Sequence, residues 1–418
     1  MIGTSRIEES SLRYPGWRVV LACCLVEMFL FGFGLYGHAV YLAELQRLRG
    51  WPTALISTAS TLSFLLGSLL AVFTNDALAW IGPKRFLLAG MSALAAATTL
   101  LAFTATPWQL YTAYMLMAFG WMGMGTVVVA TILSRWFDHR RGLAISLAFN
   151  GATFGGIVIS PVLVLLVGTI GFTRAMLTAT AAMVACLLPT VICLVHVPAP
   201  ANAWSESHAR NPSTSQLKAI PAGRSRWLLL RSFGFWTISA PFALALLAQV
   251  GFIVHQIAIL EPTMGRSLAA FAVAVTTTMA VVGRLCLGLV VDRLDPRAVT
   301  AASVVTQAAA LFVISQAADT TILFVACAVY GFSIGNLITL PPLIVHREFE
   351  QAAFGTVLGL STGIGGVISA FGPALIGLIR EATGGYAAAL MLCLMLKLTA
   401  AVFVLLRPRR AADLPSAS

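Results

Sequence analysis

Charge is what this chain has least of. Only 10% of its 418 residues are Asp, Glu, Lys or Arg, against about 25% in a soluble globular domain. A surface that poor in charge excludes a water-soluble globule. The shortage is also lopsided, with 15 acidic residues against 26 Lys and Arg. No group of His and Cys has metal-ligand spacing, so no metal or other cofactor is expected. All seven cysteines (Cys23, Cys24, Cys186, Cys193, Cys286, Cys327 and Cys393) fall in apolar stretches, which excludes a disulfide framework. No HExxH or paired-Asp pattern occurs in those stretches, so an intramembrane enzyme is not expected.

What the chain does have is apolar length. Hydrophobic residues make up 59% of it, where a soluble domain has about 45–50%. Hydropathy places twelve runs long enough to span a bilayer, near 17–41, 52–74, 85–105, 108–133, 142–168, 174–196, 235–259, 268–291, 298–317, 320–344, 354–379 and 385–406. The predicted class is an all-α membrane protein with twelve transmembrane helices. No stretch alternates at period two for long, so strands are not expected. "MIGTSRIEESSLRYPGW" ahead of the first run is polar and charged and reads as no cleavable signal peptide.

The basic residues set an orientation. Most fall on the face that carries both termini, and only Arg47, Arg49, Arg174, Arg266 and Arg380 fall on the other. The positive-inside rule therefore expects both termini in the cytoplasm, in a plasma or bacterial inner membrane. The sequence pI of 9.8 is a topology signal of this kind, and no nucleic-acid partner is expected, since phosphate binding wants its charge gathered in a soluble domain.

The chain also repeats itself. Residues 197–231 are the longest polar stretch and read as a cytoplasmic linker between six-helix halves at 1–196 and 232–418. Gly34, His38 and Glu44 are spaced as Gly251, His255 and Glu261 are. Pro83-Lys84 matches Pro296-Arg297, Arg135-x-Phe137-Asp138 matches Arg347-x-Phe349-Glu350, and Gly151 and Pro161 match Gly363 and Pro373, all at an offset of about 212–217 residues. Two pseudo-symmetric six-helix bundles make the architecture of an alternating-access carrier, with its substrate held between them near the bilayer midplane.

Two sets of motifs resemble known families. "GLVVDRLDPR" at 288–297 is similar to the loop between spans eight and nine of the major facilitator superfamily, with Gly288, Asp292 and Arg293 in place and Asp295 where a second glycine is usual. The first-half copy, "NDALAWIGPKR", keeps Gly82, Lys84 and Arg85 but has Ala79 and Trp80 where Asp and Arg are usual, with Asp76 one turn away as a substitute. "PGWRVVLA", "LRGWPTALIS" and "RWFDHRRGLAISLAFNGATFGG" resemble the monocarboxylate-transporter and oxalate/formate-antiporter branch. That resemblance implies the major facilitator fold, a monomer, and transport of a small organic anion, often with a proton. It also implies that the arginine of span eight, here Arg284, holds the substrate carboxylate. An oxalate-type exchanger would carry a lysine in span eleven, and residues 354–379 have none.

Arg284 draws attention without any family. An arginine near mid-helix costs about 2.5–3.5 kcal/mol on insertion scales, its fork of donors fits a carboxylate, and its charge is permanent. The alternative is snorkelling toward the helix end. Glu27 lies near the middle of span one on a stripe with Phe31, Gly34 and His38. A carboxyl group there can take up and release a proton, which makes it the candidate for proton coupling, against an internal bond that fixes packing. His38 and His255 form a symmetric pair near the outward ends of spans one and seven and are candidates for gating. Asp292 and Arg293 are candidates for the gate that the loop motif builds. Asn150, Tyr330 and Asn336 are candidates to hydrogen-bond a carboxylate or hydroxyl, or else to tie helices together. Lys397 in span twelve reads as snorkelling or an interhelical bond. The expected function is secondary transport of a lactate- or pyruvate-like monocarboxylate, coupled to protons. The rivals are an exporter of drugs or other metabolites on the same fold, and an oxalate/formate-type exchanger.

Overall fold

The computed structural model describes residue 11 and residues 14–137, 140–195, 229–290, 294–349 and 351–406. Among these, twelve helices are long and apolar enough to cross a membrane: α1 Gly16–Arg49, α2 Thr53–Leu70, α3 Pro83–Ala102, α4 Pro107–Leu133, α5 Leu143–Ile170, α6 Phe172–Leu194, α7 Phe233–Met264, α8 Arg266–Leu287, α9 Pro296–Gln316, α10 Thr320–Val345, α11 Val357–Thr383 and α12 Ala387–Leu405. Each corresponds to one hydropathy run, and no strand occurs among the described residues. The protein is an integral membrane protein. Trp80, Leu165, Leu285 and Val402, each more than 60% exposed, would be a liability in water and are what lipid solvates.

The helix starts and stops follow local rules. Pro83, Pro107 and Pro296 occupy first-turn positions of α3, α4 and α9, where a missing N–H costs nothing. The Gln109 side-chain oxygen accepts from the N–H groups of Ala105 and Thr106 at the start of α4, and the Asp319 carboxylate accepts from the N–H groups of Thr321 and Ile322 at the start of α10.

Hydropathy ends span one at residue 41 and span seven at 259; the helices instead run to Arg49 and Met264. In α1 the reason is Glu44. This side chain is 1% exposed, yet it is paired with Arg47 at 3.1 Å and with Arg266, so its charge no longer opposes a continued helix. Gly50, at φ 64°, then ends the helix in the left-handed region.

By their contacts the residues divide into two compact units. One is drawn from 1–217 with 253–277, the other from 218–252 with 278–418. In the first unit, α1 packs on α5, α2 on α4, and α3 on both α4 and α6. In the second, α9 packs on both α10 and α12, the same pairing that its repeat counterpart α3 makes. The C-terminal part of α7 and the first half of α8 belong to the first unit, where Arg266 meets Glu44 and Gln256 donates to the Thr276 hydroxyl at 2.9 Å.

Helices α1 and α5 approach to backbone contact. A Cβ on Gly151 would collide with the Cys24 carbonyl, and one on Gly155 would lie 2.6 Å from the Met28 carbonyl. Both helices also widen into a π turn, at Gly32–Tyr36 and Gly155–Ile159, and the two wide turns touch through Gly32 and Ile159. Such turns mark places where a helix is held off its regular path.

Candidate functional site

In the second unit the site is built around the crossing of α8 and α10. Gly283 and Gly335 lack the side chains that would strike the Phe332 and Ala280 carbonyls, so the two backbones meet there. Gly335 is also the break in α10, between Thr320–Ile334 and Asn336–Glu348. Arg284 follows Gly283 directly and is half-buried, and its Nε donates to the Gly335 carbonyl at 3.5 Å. That bond is one contact of the side chain with a neighbouring helix.

Asn336, the residue after that break, is buried. Its Nδ2 donates to the Ser303 hydroxyl of α9 at 3.3 Å, and its Oδ1 has no partner. Tyr330 is fully buried, its ring 4.6 Å from Phe252, and its hydroxyl has no partner among the described residues. Asn150 is half-buried in α5 and belongs to the other unit. Asp292 and Arg293 lie outside the described residues.

Lys397 does not snorkel. It is fully buried, donates to the Gln307 Oε1 at 2.5 Å and to the Ala245 carbonyl at 3.2 Å, and has its ammonium 5.5 Å from the centre of the Tyr330 ring. Gln307 in turn donates to the Ser333 carbonyl at 3.1 Å. One ammonium therefore joins α7, α9, α10 and α12, and every buried donor direction has an acceptor or a ring.

The first unit holds the acid. Glu27 is 0% exposed, and both its carboxylate oxygens lack a hydrogen-bond partner. It lies on α1 between Cys24 and Met28, whose carbonyls are the two that α5 approaches. Buried polar atoms are nearly always paired, and Glu27 stands out because its carboxylate has no such partner among the described residues. His38 and His255 are not near a helix end, as the hydropathy reading had them. Both are 0% exposed, because α1 and α7 continue past them. The His38 Nε2 is 3.1 Å from the Met117 Sδ, and its ring packs 4.8 Å from Phe64 and 4.9 Å from Tyr114.

Two ion pairs escaped the sequence reading. Arg297 is 1% exposed and grips Glu348 with two hydrogen bonds of 2.5 and 2.7 Å. The same guanidinium donates to the Val404 and Leu406 carbonyls at 2.6 and 3.1 Å and to the Thr237 hydroxyl at 3.0 Å. The second pair is Glu44 with Arg266. Repeat spacing had marked Arg297 and Glu44, but their partners lie far away in sequence and carry no local signal. Asp76, the substitute acid of the first-half motif, is exposed and makes no ion pair among the described residues.

Twelve spanning helices in repeat-related halves, with charged side chains held inside them, define a membrane transporter fold. The family model of the Major Facilitator Superfamily matches residues 25–353, and the chain belongs to that superfamily. It is 26% identical to Monocarboxylate transporter 13 of Rattus norvegicus over 385 residues, 89% of this chain and 84% of that one. Among solved structures it is similar to a D-xylose–proton symporter, with a TM-score of 0.73 at 12% identity over 93% of this chain and 97% of that one. It is likewise similar to the nucleoside transporter NupG, with a TM-score of 0.71 at 15% identity over 93% and 97%. The similarity to these two structures concerns the fold.

Proposed function

We propose that this protein is a secondary transporter of a small monocarboxylate, in which Arg284 holds the carboxylate and Glu27 carries the coupled proton. The observation that carries the reading is the placement of Arg284. A permanent charge bonds the Gly335 carbonyl at the break of α10, and the next residue, Asn336, has an Oδ1 without a partner among the described residues. The similarity to a monocarboxylate transporter supports the same substrate class. In the proposal both termini are cytoplasmic, the working unit is a monomer, the halves 1–196 and 232–418 move as bodies in alternating access, and the loop residues Asp292 and Arg293 together with His38 and His255 belong to the gating apparatus.

A second reading is favoured by Glu27, because a buried acid without a partner also suits an exporter of cationic or apolar compounds. One experiment separates the two. Counterflow of labelled lactate in proteoliposomes is measured for the wild type, Arg284→Lys and Arg284→Ala, with oxalate, formate and a cationic dye as competitors. Wild-type counterflow that is lost in both variants, while they stay folded, supports the carboxylate site. Counterflow retained in the variants removes Arg284 from it, and dye competition without lactate counterflow selects the exporter.

A further inference from the structure

Arginine is scarce on the side opposite the termini, as the positive-inside rule expects, and five arginines are assigned there by the span order. Three have acidic partners: Arg47 and Arg266 share Glu44, and Arg380 is 3.7 Å from Glu381. The remaining two, Arg49 and Arg174, make no ion pair or side-chain hydrogen bond among the described residues. They lie far apart in sequence, at the end of α1 and in the first turn of α6, yet both line one cavity of about 390 Å³ in the first unit. That volume is within the range of about 300–1,000 Å³ of small-molecule sites.

Arg49 and Arg174 are both exposed side chains lining this cavity. The Thr173 hydroxyl donates to the Ala102 carbonyl at 3.0 Å and so ties the start of α6 to the end of α3. Helix α6 is 23 residues long, and its N-cap is Gly171, which offers no side chain to the first N–H groups. These groups add their partial positive charge to that of the two arginines. Beside this polar wall the cavity is lined by Leu48 and Ile170, which are 49% and 39% exposed. An oxyanion next to hydrocarbon is therefore the ligand chemistry that fits, and a spanning-helix end is where lipid presents both.

We propose that this cavity binds the phosphate of an anionic phospholipid, with Arg49 and Arg174 as its counter-charges and Leu48 and Ile170 against the first methylenes of its acyl chains. Two arginines match the oxygens of a phosphodiester by paired, charge-assisted hydrogen bonds. The site is separate from the one built on Arg284, and its occupancy does not depend on what the protein carries.

The test is lipid retention. Purified wild type, Arg49→Gln/Arg174→Gln and Arg49→Lys/Arg174→Lys are each equilibrated with mixed micelles containing equal phosphatidylglycerol and phosphatidylcholine, and bound lipid is read by native mass spectrometry. Gel filtration and thermal melting confirm that the variants are folded, which is expected because neither arginine has a partner to lose among the described residues. The expected result is preferential retention of one phosphatidylglycerol by the wild type, a loss of about tenfold or more in the Gln pair, and intermediate retention in the Lys pair. Equal retention of the two lipids, or retention unaffected by the Gln pair, overturns the proposal. A parallel arm adds millimolar inorganic phosphate: if free phosphate displaces the lipid, the assignment to a lipid headgroup falls and the cavity is a site for a soluble anion.

Discussion

Among the described residues, the fully buried Asp, Glu, Lys, Arg and His side chains are Glu27, Glu44 and His38 in the first half of the chain and Arg297, Lys397 and His255 in the second. The histidines are repeat partners, but the charged groups have opposite signs. The contrast is sharpest where the repeats align, at Lys84 and Arg297. Both follow a helix-starting proline, and both donate to a carbonyl near the end of the last helix of their half, that of Ile192 at 2.8 Å and that of Val404 at 2.6 Å. Lys84 makes that bond alone and stays half-buried. Arg297 adds Glu348 and Thr237 and disappears from solvent. The two positions thus share a backbone setting and differ in side-chain partners. Among the described residues, the fully buried charges of the first half are acids and those of the second are cations.

The largest effect is expected from breaking the deeper of these two contacts. Arg297→Ala leaves Glu348 without its partner and should cost about 3–5 kcal/mol, whereas Lys84→Ala should cost no more than about 1 kcal/mol. Thermal melting of the purified variants reads the difference, and equal losses would mean that the halves are not specialised in this way.

Next comes the division between anion and proton. Arg284→Ala should reduce lactate counterflow about a hundredfold, as expected when one member of a charged, hydrogen-bonded pair is removed. Folding controls keep that loss attributable to binding. A third comparison uses two aligned glycines. Gly151→Ala forces a methyl onto the Cys24 carbonyl and should cost about 1–3 kcal/mol. Its counterpart Gly363 has nothing within 4 Å of an added Cβ, so Gly363→Ala should be neutral or stabilising by up to about 1 kcal/mol. The reverse order in a melting series would sink the assigned packing.

The smallest effect belongs to Glu27. A gradient of one pH unit is worth about 1.4 kcal/mol per coupled proton, or about tenfold in accumulation. Glu27→Gln should abolish that response in uptake while leaving counterflow without a gradient nearly intact. Uptake by the variant that still follows an imposed gradient would move the coupled proton elsewhere.

Much of this was legible from local signals. Twelve apolar runs need only a window of hydropathy, since a bilayer demands about twenty apolar residues wherever a helix crosses it. Arg284 and Glu27 stood out because a charge inside such a run is expensive wherever the chain goes. Glu44 misled the reading of α1 because its cost is cancelled by Arg266, more than two hundred residues away. Glu348 attracted no notice, since a carboxylate near a helix end is ordinary until Arg297 is seen to hold it.

The chain by itself determined that this is a twelve-span membrane protein with an internal duplication, and it singled out the isolated charges, because hydropathy, repeat spacing and insertion cost are properties of single residues or short windows. Only the tertiary structure decided which charges are paired. It buried both histidines, fastened Lys397 to Gln307, brought Arg284 to Gly335, and left Glu27, Arg49 and Arg174 without partners among the described residues. Pairing is a matter of distance in space, and a few ångströms separate a structural ion pair from a group that still has a ligand to meet.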